Sequence, residues 1–130
     1  MKLYTSNFAS AASLPDTIIP VSIALKTPDA YTGKRYIKLA PTPRILHNWR
    51  TEYNKDQYIS DFNREVLSKL DPAYLYDCFE KYFGGKDICF LCYEKPGDFC
   101  HRKLVAKWFS DAGYPVEEWV PRIEGQVSLF

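Results

Sequence analysis

Short apolar runs alternate along the chain with stretches whose apolar residues recur every three or four positions. The first run is "KLYT" at 2–5, and the second is "TIIPVSIAL" at 17–25. Proline cannot donate a hydrogen bond to a neighbouring strand, so the second strand is predicted to begin after Pro20 and run from Val21 to Leu25. The run "KDICFLCYE" at 86–94 is the most strand-like, and "PVEEWV" at 115–120 predicts a short final strand.

The clearest helical pattern lies at 55–70, where Tyr58, Phe62 and Val66 follow one another at four-residue intervals. Another helix is predicted to begin near Pro43, because proline is well tolerated in the first turn. Between the second strand and this helix, residues 27–42 show no clear period and predict a long surface loop. Loops of this length in compact domains are often functional.

Turn-forming residues mark the bounds of a further helix. Asp71 and Pro72 form an N-cap and first-turn pair, and Gly84-Gly85 provides the stop. Cys78 falls in the apolar stripe of this segment and is predicted to be a small core residue.

A last helix is predicted from Asp98 to about Ala112, after a turn at Pro96-Gly97. Its charged side consists of Lys103 and Lys107, and Cys100 lies at the edge of its apolar stripe. The stripe itself contains His101, Leu104, Val105, Trp108 and Ala112.

Strands that alternate with helices predict an α/β fold with a mostly parallel sheet covered on both faces. The expected architecture is a single three-layer domain over residues 1–130, with a Rossmann-like or flavodoxin-like topology. A length of 130 residues fits one hydrophobic core.

The chain contains no apolar run long enough to cross a bilayer, and its start, "MKLYTSNF", lacks the apolar region of a signal peptide. We therefore expect a cytoplasmic protein that does not contact membranes, either a monomer or a small homo-oligomer. Its four cysteines are expected as thiols, because reducing compartments disfavour stable disulfides.

Charge is unevenly distributed although the net charge is only +1. Residues 26–50 carry six basic side chains, including Arg35 and Lys38, against one acid, Asp29. The same segment contains Trp49 and other rings, and rings among basic groups can stack on bases while the charges meet phosphates. It reads either as an ordinary solvated loop or as an anion-binding surface, with Arg35 and Lys38 as candidate ligand-binding residues.

The stretch "CYEKPGDFCHR" at 92–102 offers metal-ligating side chains. With Cys89 it has the form C-x2-C-x7-C-H, which contains four zinc ligand types. However, Cys89 and Cys92 lie three apart in a predicted strand and must point to opposite faces, whereas a tetrahedral zinc site needs both on one side. We therefore expect no metal and no other cofactor. Cys92 and Cys100 can approach each other across the loop, which leaves a thiol redox role open.

Other residues of this stretch suit proton transfer and anion binding. Glu94 is the candidate general acid or base, Cys100 a thiol in the first helical turn, and His101 the second proton-transfer group. Arg102 is the candidate anion clamp, and Tyr93 a ring for stacking. A buried histidine that only forms a structural hydrogen bond is the alternative for His101.

Ligands of open α/β sheets bind outside the carboxyl ends of the strands. Tyr4, Ser6 and Asn7 end the first strand and are predicted to line one side of such a pocket. The 92–102 stretch would line the other side, and the basic segment would reach the rim. No Walker A loop, G-x-G-x-x-G, H-E-x-x-H, G-x-S-x-G or C-x5-R motif accompanies these residues.

The segment "LCYEKPGDFCHRKLVAKWF" resembles the signature of the DUF488 family of uncharacterised proteins. The stretches "LYTSNF", "PVSIAL", "LAP" and "FNREVLSKLDP" appear in the order of that family, so the resemblance covers about residues 2–119. It implies a small cytoplasmic α/β domain and no particular reaction. The signature positions that it implies are Cys92, Glu94, Pro96, Cys100, His101 and Arg102.

The leading functional hypothesis is a site that binds an anionic nucleotide or nucleic-acid segment, and a hydrolytic or transfer reaction on that ligand is left open. One alternative is a binding module without catalysis, for nucleic acid or protein. Another is a thiol redox protein that uses Cys92 and Cys100. The sequence does not decide whether the protein is an enzyme.

Overall fold

The computed structural model describes residues 1–94 and 99–121. Five parallel strands form one sheet in the order β3-β2-β4-β1-β5. The strands are β1 (Leu3–Asn7), β2 (Ile18–Ser22), β3 (Lys34–Arg35), β4 (Asp87–Cys92) and β5 (Val116–Glu118). Together with the helices they confirm the predicted three-layer, Rossmann-like α/β fold.

The helices are distributed unequally between the two faces of the sheet. They are α1 (Phe8–Ala11), α2 (Pro43–Glu52), α3 (Lys55–Glu65), α4 (Pro72–Tyr82) and α5 (His101–Asp111), with 3₁₀ turns at Ile37–Leu39 and Leu67–Lys69. Side chains from α2 to α5 pack in the main core on one face of the sheet, whereas the single turn α1 packs with loop side chains on the other. In the described part of the chain, no helix combines the length and apolar character that a bilayer crossing demands.

Strand β4 is central, and its side chains alternate between two apolar layers. Ile88 and Phe90 face the main core, while Cys89 and Leu91 belong to the smaller cluster on the opposite face. This strand is buried along nearly its whole length because both faces are covered, which explains its continuous apolar sequence. The alternation confirms that Cys89 and Cys92 point to opposite sides.

Pro20 lies inside β2, so the predicted start at Val21 is wrong. Successive residues at the end of β2 bond to opposite neighbours. The carbonyl of Ser22 accepts from the N–H of Tyr36 on the β3 side, and the N–H of Ile23, the residue after the strand, donates to Leu91 of β4. Pro20 lies two positions before Ser22 and therefore also faces the β3 side. Strand β3 pairs only with Val21 and Ser22, so no partner requires the missing N–H.

Three further expectations need correction. The long loop contains the short edge strand β3. Cys78 is exposed, because its side of α4 opens onto a groove beside β3. On α5 the buried residues are His101, Arg102, Val105 and Phe109, while Ala112 is exposed. Helix α5 starts at His101 with Cys100 as N-cap residue, and the predicted turn at Pro96-Gly97 and cap at Asp98 lie outside the described residues.

Candidate functional site

A pocket of about 610 Å³ opens at the carboxyl ends of β2 and β4. Its floor is formed where β4 ends and α5 begins, and its walls come from α2, α3 and the segment after β2. The residues that bear on its chemistry are Lys26, His47, Trp49, Arg50, Tyr58, Cys92, Tyr93, Glu94, Phe99, Cys100 and His101. Its position is that predicted from the strand and helix pattern, at the carboxyl ends of a parallel sheet.

His101 is buried at the floor of this pocket, and its hydrogen bonds fix its tautomer. Its Nε2 lies 2.6 Å from the carbonyl oxygen of Ile23, which can only accept, so Nε2 carries the proton. Nδ1 is then unprotonated and faces Cys100, 3.6 Å from Sγ. Burial lowers the pKa of His101 to about 4, so the ring is neutral at neutral pH. A neutral ring in this tautomer offers a lone pair, not a charge, to the pocket.

Cys92 and Cys100 are joined by a disulfide bond in the structure, whereas Cys78 and Cys89 are free thiols, so the expectation that all four cysteines are thiols is wrong for this pair. Cys92 is the last residue of β4, and Cys100 is the N-cap residue of α5, so the strand end and the helix start position the pair. The prediction that these two cysteines can approach each other is confirmed. A redox role for them stays a prediction. With His101 they form a cluster that could ligate a metal ion.

Arg102 is fully buried beneath the pocket instead of lining it. Its Nε and Nη2 donate to the two carboxylate oxygens of Glu118, at 3.1 and 2.9 Å. Its Nη1 donates to Cys92 Sγ at 3.0 Å and to the carbonyl oxygen of Glu94 at 2.7 Å. These contacts occupy the guanidinium, so the predicted role of Arg102 as an anion clamp is wrong. It joins β5, the end of β4 and α5.

Glu94 and Tyr93 are exposed on the rim of the pocket, where the sequence placed them. The Tyr93 ring packs edge-on against Phe8 with 4.9 Å between centroids, which fixes its position. The neighbouring Lys95, part of the same predicted group, lies outside the described residues.

Tyr4, Ser6 and Asn7 are not among the described residues that line the pocket, so that prediction is wrong. The Ser6 hydroxyl donates to the carbonyl oxygen of Trp119, and the Asn7 side chain accepts from the N–H of Ser10 as the N-cap of α1. Tyr4 packs in the smaller cluster on the other face of the sheet. The side chains at the end of β1 therefore stabilise neighbouring parts of the fold and do not contribute to the pocket.

Arg35 and Lys38 line a second groove, of about 670 Å³, between β3 and α4. The prediction that they reach the same pocket as Glu94 is wrong. The basic segment is divided by its own secondary structure: β3 takes Arg35 to the sheet edge, whereas the start of the loop and α2 take Lys26 and Arg50 to the pocket.

An aromatic wall, consisting of Trp49, Tyr58 and Phe99, was not assigned to the site from the sequence. Phe99 contacts both other rings with centroids 5.0 Å apart, and Trp49 lies 5.6 Å from Tyr58. The rings come from α2, α3 and the residue before the α5 cap, so no local pattern joins them. The one available signal was Trp49 among the basic residues of 26–50.

Cys78 and Cys89 provide a contrast in thiol reactivity. Burial raises the pKa of the Cys89 thiol to about 12, while Cys78 is exposed on α4. We expect iodoacetamide to label Cys78 in the folded, reduced protein and to leave Cys89 unmodified, as read by peptide mass spectrometry. Unfolding in guanidinium should make both react at similar rates. Equal rates in the folded protein would contradict the placement of Cys89.

Comparisons with known proteins give a family but no function. A family model described as "DUF488-N3a: Active DUF488-N3 subclade" matches residues 14–113 of the 130. None of the curated proteins or solved structures compared matches the chain.

Proposed function

The chain belongs to the DUF488 family, and we propose that its pocket binds a nucleotide, or a nucleotide unit of a nucleic acid, through ring stacking and phosphate contacts. The observation that carries the proposal is the combination, in one pocket, of the aromatic wall with two exposed cationic side chains, Lys26 and Arg50. Such a site would lie inside the cell, where nucleotides are abundant.

The aromatic wall supports binding of a planar group. Trp49 and Phe99 are only half-buried, so part of each ring is accessible to a ligand, while their partner Tyr58 is buried. Base stacking on such rings contributes about 1–3 kcal/mol per base and tolerates any base. A pocket of about 610 Å³ falls within the range of small-molecule sites.

The charges around the pocket support an anionic group on that ligand. Lys26 and Arg50 are exposed at its edge, and α5 starts at its floor, where the helix dipole favours negative charge. Glu94 is the acid among the described lining residues, and it opposes an anion. It is also the exposed carboxylate available for proton transfer if the bound ligand reacts.

The proposal is tested by titrating adenosine monophosphate and a short single-stranded oligonucleotide into reduced protein by calorimetry. We expect Trp49→Leu to weaken binding by about 10- to 100-fold, the equivalent of one lost stack. Arg50→Ala should weaken binding and lower its salt dependence, while Glu94→Gln should strengthen it by removing a repulsive charge.

Matched controls lie in the second groove and on α5. Lys38→Ala removes a cation and Trp108→Leu a half-buried tryptophan, and neither residue lines the pocket. The proposal would be overturned if Lys38→Ala weakened nucleotide binding while Trp49→Leu left it unchanged. The proposal would also be overturned if neither probe bound at millimolar concentration.

A further inference from the structure

Three metal-ligating atoms converge at the floor of the pocket: Cys92 Sγ, Cys100 Sγ and His101 Nδ1, all within 4.8 Å of one another. All three residues are buried. We infer that in the reduced protein they form a site for a zinc-class divalent ion with one open coordination position. This inference does not depend on the nucleotide proposal.

The orientation of the His101 ring is that of a metal ligand. Its Nε2–H donates to the backbone carbonyl of Ile23, and this bond directs the Nδ1 lone pair toward the sulfurs. Metal-bound histidines commonly donate their second ring N–H to a carbonyl or carboxylate in this way. The free nitrogen, Nδ1, lies 3.6 Å from Cys100 Sγ, and the Cys92 sulfur belongs to the same cluster of atoms within 4.8 Å.

In the reduced protein each cysteine would have a neighbour that favours its thiolate form. The Arg102 guanidinium donates to Cys92 Sγ at 3.0 Å, and Cys100 lies at the N-terminus of α5, where the dipole favours negative charge. The charge of Arg102 is in turn balanced by the Glu118 carboxylate. A divalent ion with two thiolates and one neutral imidazole adds no net charge to a buried site.

The backbone spacing of the two cysteines also suits a metal. Their Cα atoms lie 7.5 Å apart, beyond the usual range of about 4.4–6.8 Å for disulfides. Two thiolates bound to one tetrahedral zinc at about 2.3 Å each are held roughly 3.8 Å apart, so after reduction the two sulfur atoms would separate and the Cα atoms would not need to move closer. Cys89 points to the opposite face of the sheet and cannot join these ligands. The four-ligand zinc knuckle is therefore excluded, but a site with three protein ligands is not.

The pocket provides the fourth position. Cys92, Cys100 and His101 all line it, and two thiolates, one imidazole and an open site form a donor set known from catalytic zinc. Binding converts two thiols to thiolates and releases two protons per ion at a pH where both are protonated. An ion here would face whatever ligand occupies the pocket.

The inference is tested with cobalt(II), titrated into full-length protein that has been reduced, stripped with a chelator and kept anaerobic. We expect one ion per chain, a thiolate-to-cobalt charge-transfer band and the intense visible bands of a four-coordinate ion. Zinc should displace the cobalt and bleach these bands. Oxidation of the cysteine pair should abolish them, and reduction should restore them.

Variants and a wild-type measurement identify the ligands. Cys92→Ser and Cys100→Ser should each lose the charge-transfer intensity of one thiolate, and His101→Gln should weaken binding, whereas Cys78→Ser should match the wild type. If a variant fails to fold, zinc protection replaces it: bound zinc should block alkylation of Cys92 and Cys100 in wild-type protein while exposed Cys78 still reacts.

Two results would overturn the inference. One is folded, reduced wild-type protein that shows no charge-transfer band at millimolar cobalt. The other is a band that disappears with Cys78→Ser or persists when Cys92 and Cys100 are both replaced. Nucleotide binding by the metal-free protein is measured separately, so failure of one proposal is distinguishable from failure of the other.

Discussion

Arg102→Met should destabilise the protein by about 3 kcal/mol, measured as the free energy of unfolding in urea. The substitution keeps most of the buried volume and removes the charge. It leaves Glu118 without its bidentate partner and Cys92 and the Glu94 carbonyl without a donor. Removing one partner of a buried ion pair typically costs about 3–5 kcal/mol. The lower end applies because the Glu118 side chain is 31% exposed and regains contact with water.

Lys107→Met is the matched control on the same helix. Lys107 pairs with Asp111 on the surface, and exposed pairs of this kind contribute less than about 1 kcal/mol. The double variant Arg102→Met, Glu118→Gln should cost less than the sum of the single variants, because the two side chains interact. A loss below about 1 kcal/mol for Arg102→Met would contradict the structural role assigned to the guanidinium.

Acid should destabilise the protein through His101. The folded-state pKa of about 4 lies below the ordinary value of 6.5, so between these values the unfolded chain binds the proton and the folded protein does not. The contribution of His101 to the free energy of unfolding is therefore fully present above pH 6.5 and is lost as the pH drops toward 4. The loss is up to roughly 1.4 kcal/mol per pH unit and about 3 kcal/mol in total. Urea unfolding of reduced protein in chelator, at intervals across this range, measures the fall.

His101→Gln separates this effect from the carboxyl groups that also titrate in acid. The glutamine amide can still donate to the Ile23 carbonyl but does not titrate. The stability of the variant should therefore depend less steeply on pH between 6.5 and 4 than that of the wild type. Parallel pH profiles for the two proteins would show that His101 does not carry the acid sensitivity.

Much of the fold follows from periodicity and capping residues. The uninterrupted apolar run of β4 could be read as a strand buried on both faces, and Asp71-Pro72 gave the start of α4 correctly. Strand order could not be read, because the apolar pattern of each strand is compatible with several neighbours. The position of Pro20 in β2 was also unreadable, since proline is tolerated only because β3 stops short of it.

The candidate site was predictable only where neighbours in sequence are neighbours in space. Tyr93, Glu94, Cys100 and His101 line the predicted pocket because a strand end and a helix start are joined by one loop. Arg102 could not be assigned, because its partner Glu118 is distant in sequence and its burial depends on that pairing.

The aromatic wall shows the same limit. Its rings come from three separate elements, and the contacts between them depend on how α2 and α3 pack. For Tyr4, Ser6 and Asn7 the error was the opposite, because they were assigned to the pocket and do not line it. Their strand ends beside β4, but their side chains are used by α1, Trp119 and the opposite face of the sheet.

The measurement that tests the central claim most directly is an amide chemical-shift titration of isotope-labelled, reduced protein with adenosine monophosphate. The structure predicts the largest changes at residues 24–26, at the Trp49 indole N–H and at residues 99–101, which surround the pocket. Changes confined to the second groove around residues 34–38, or no change with millimolar ligand, would contradict the assignment of the pocket as a nucleotide site.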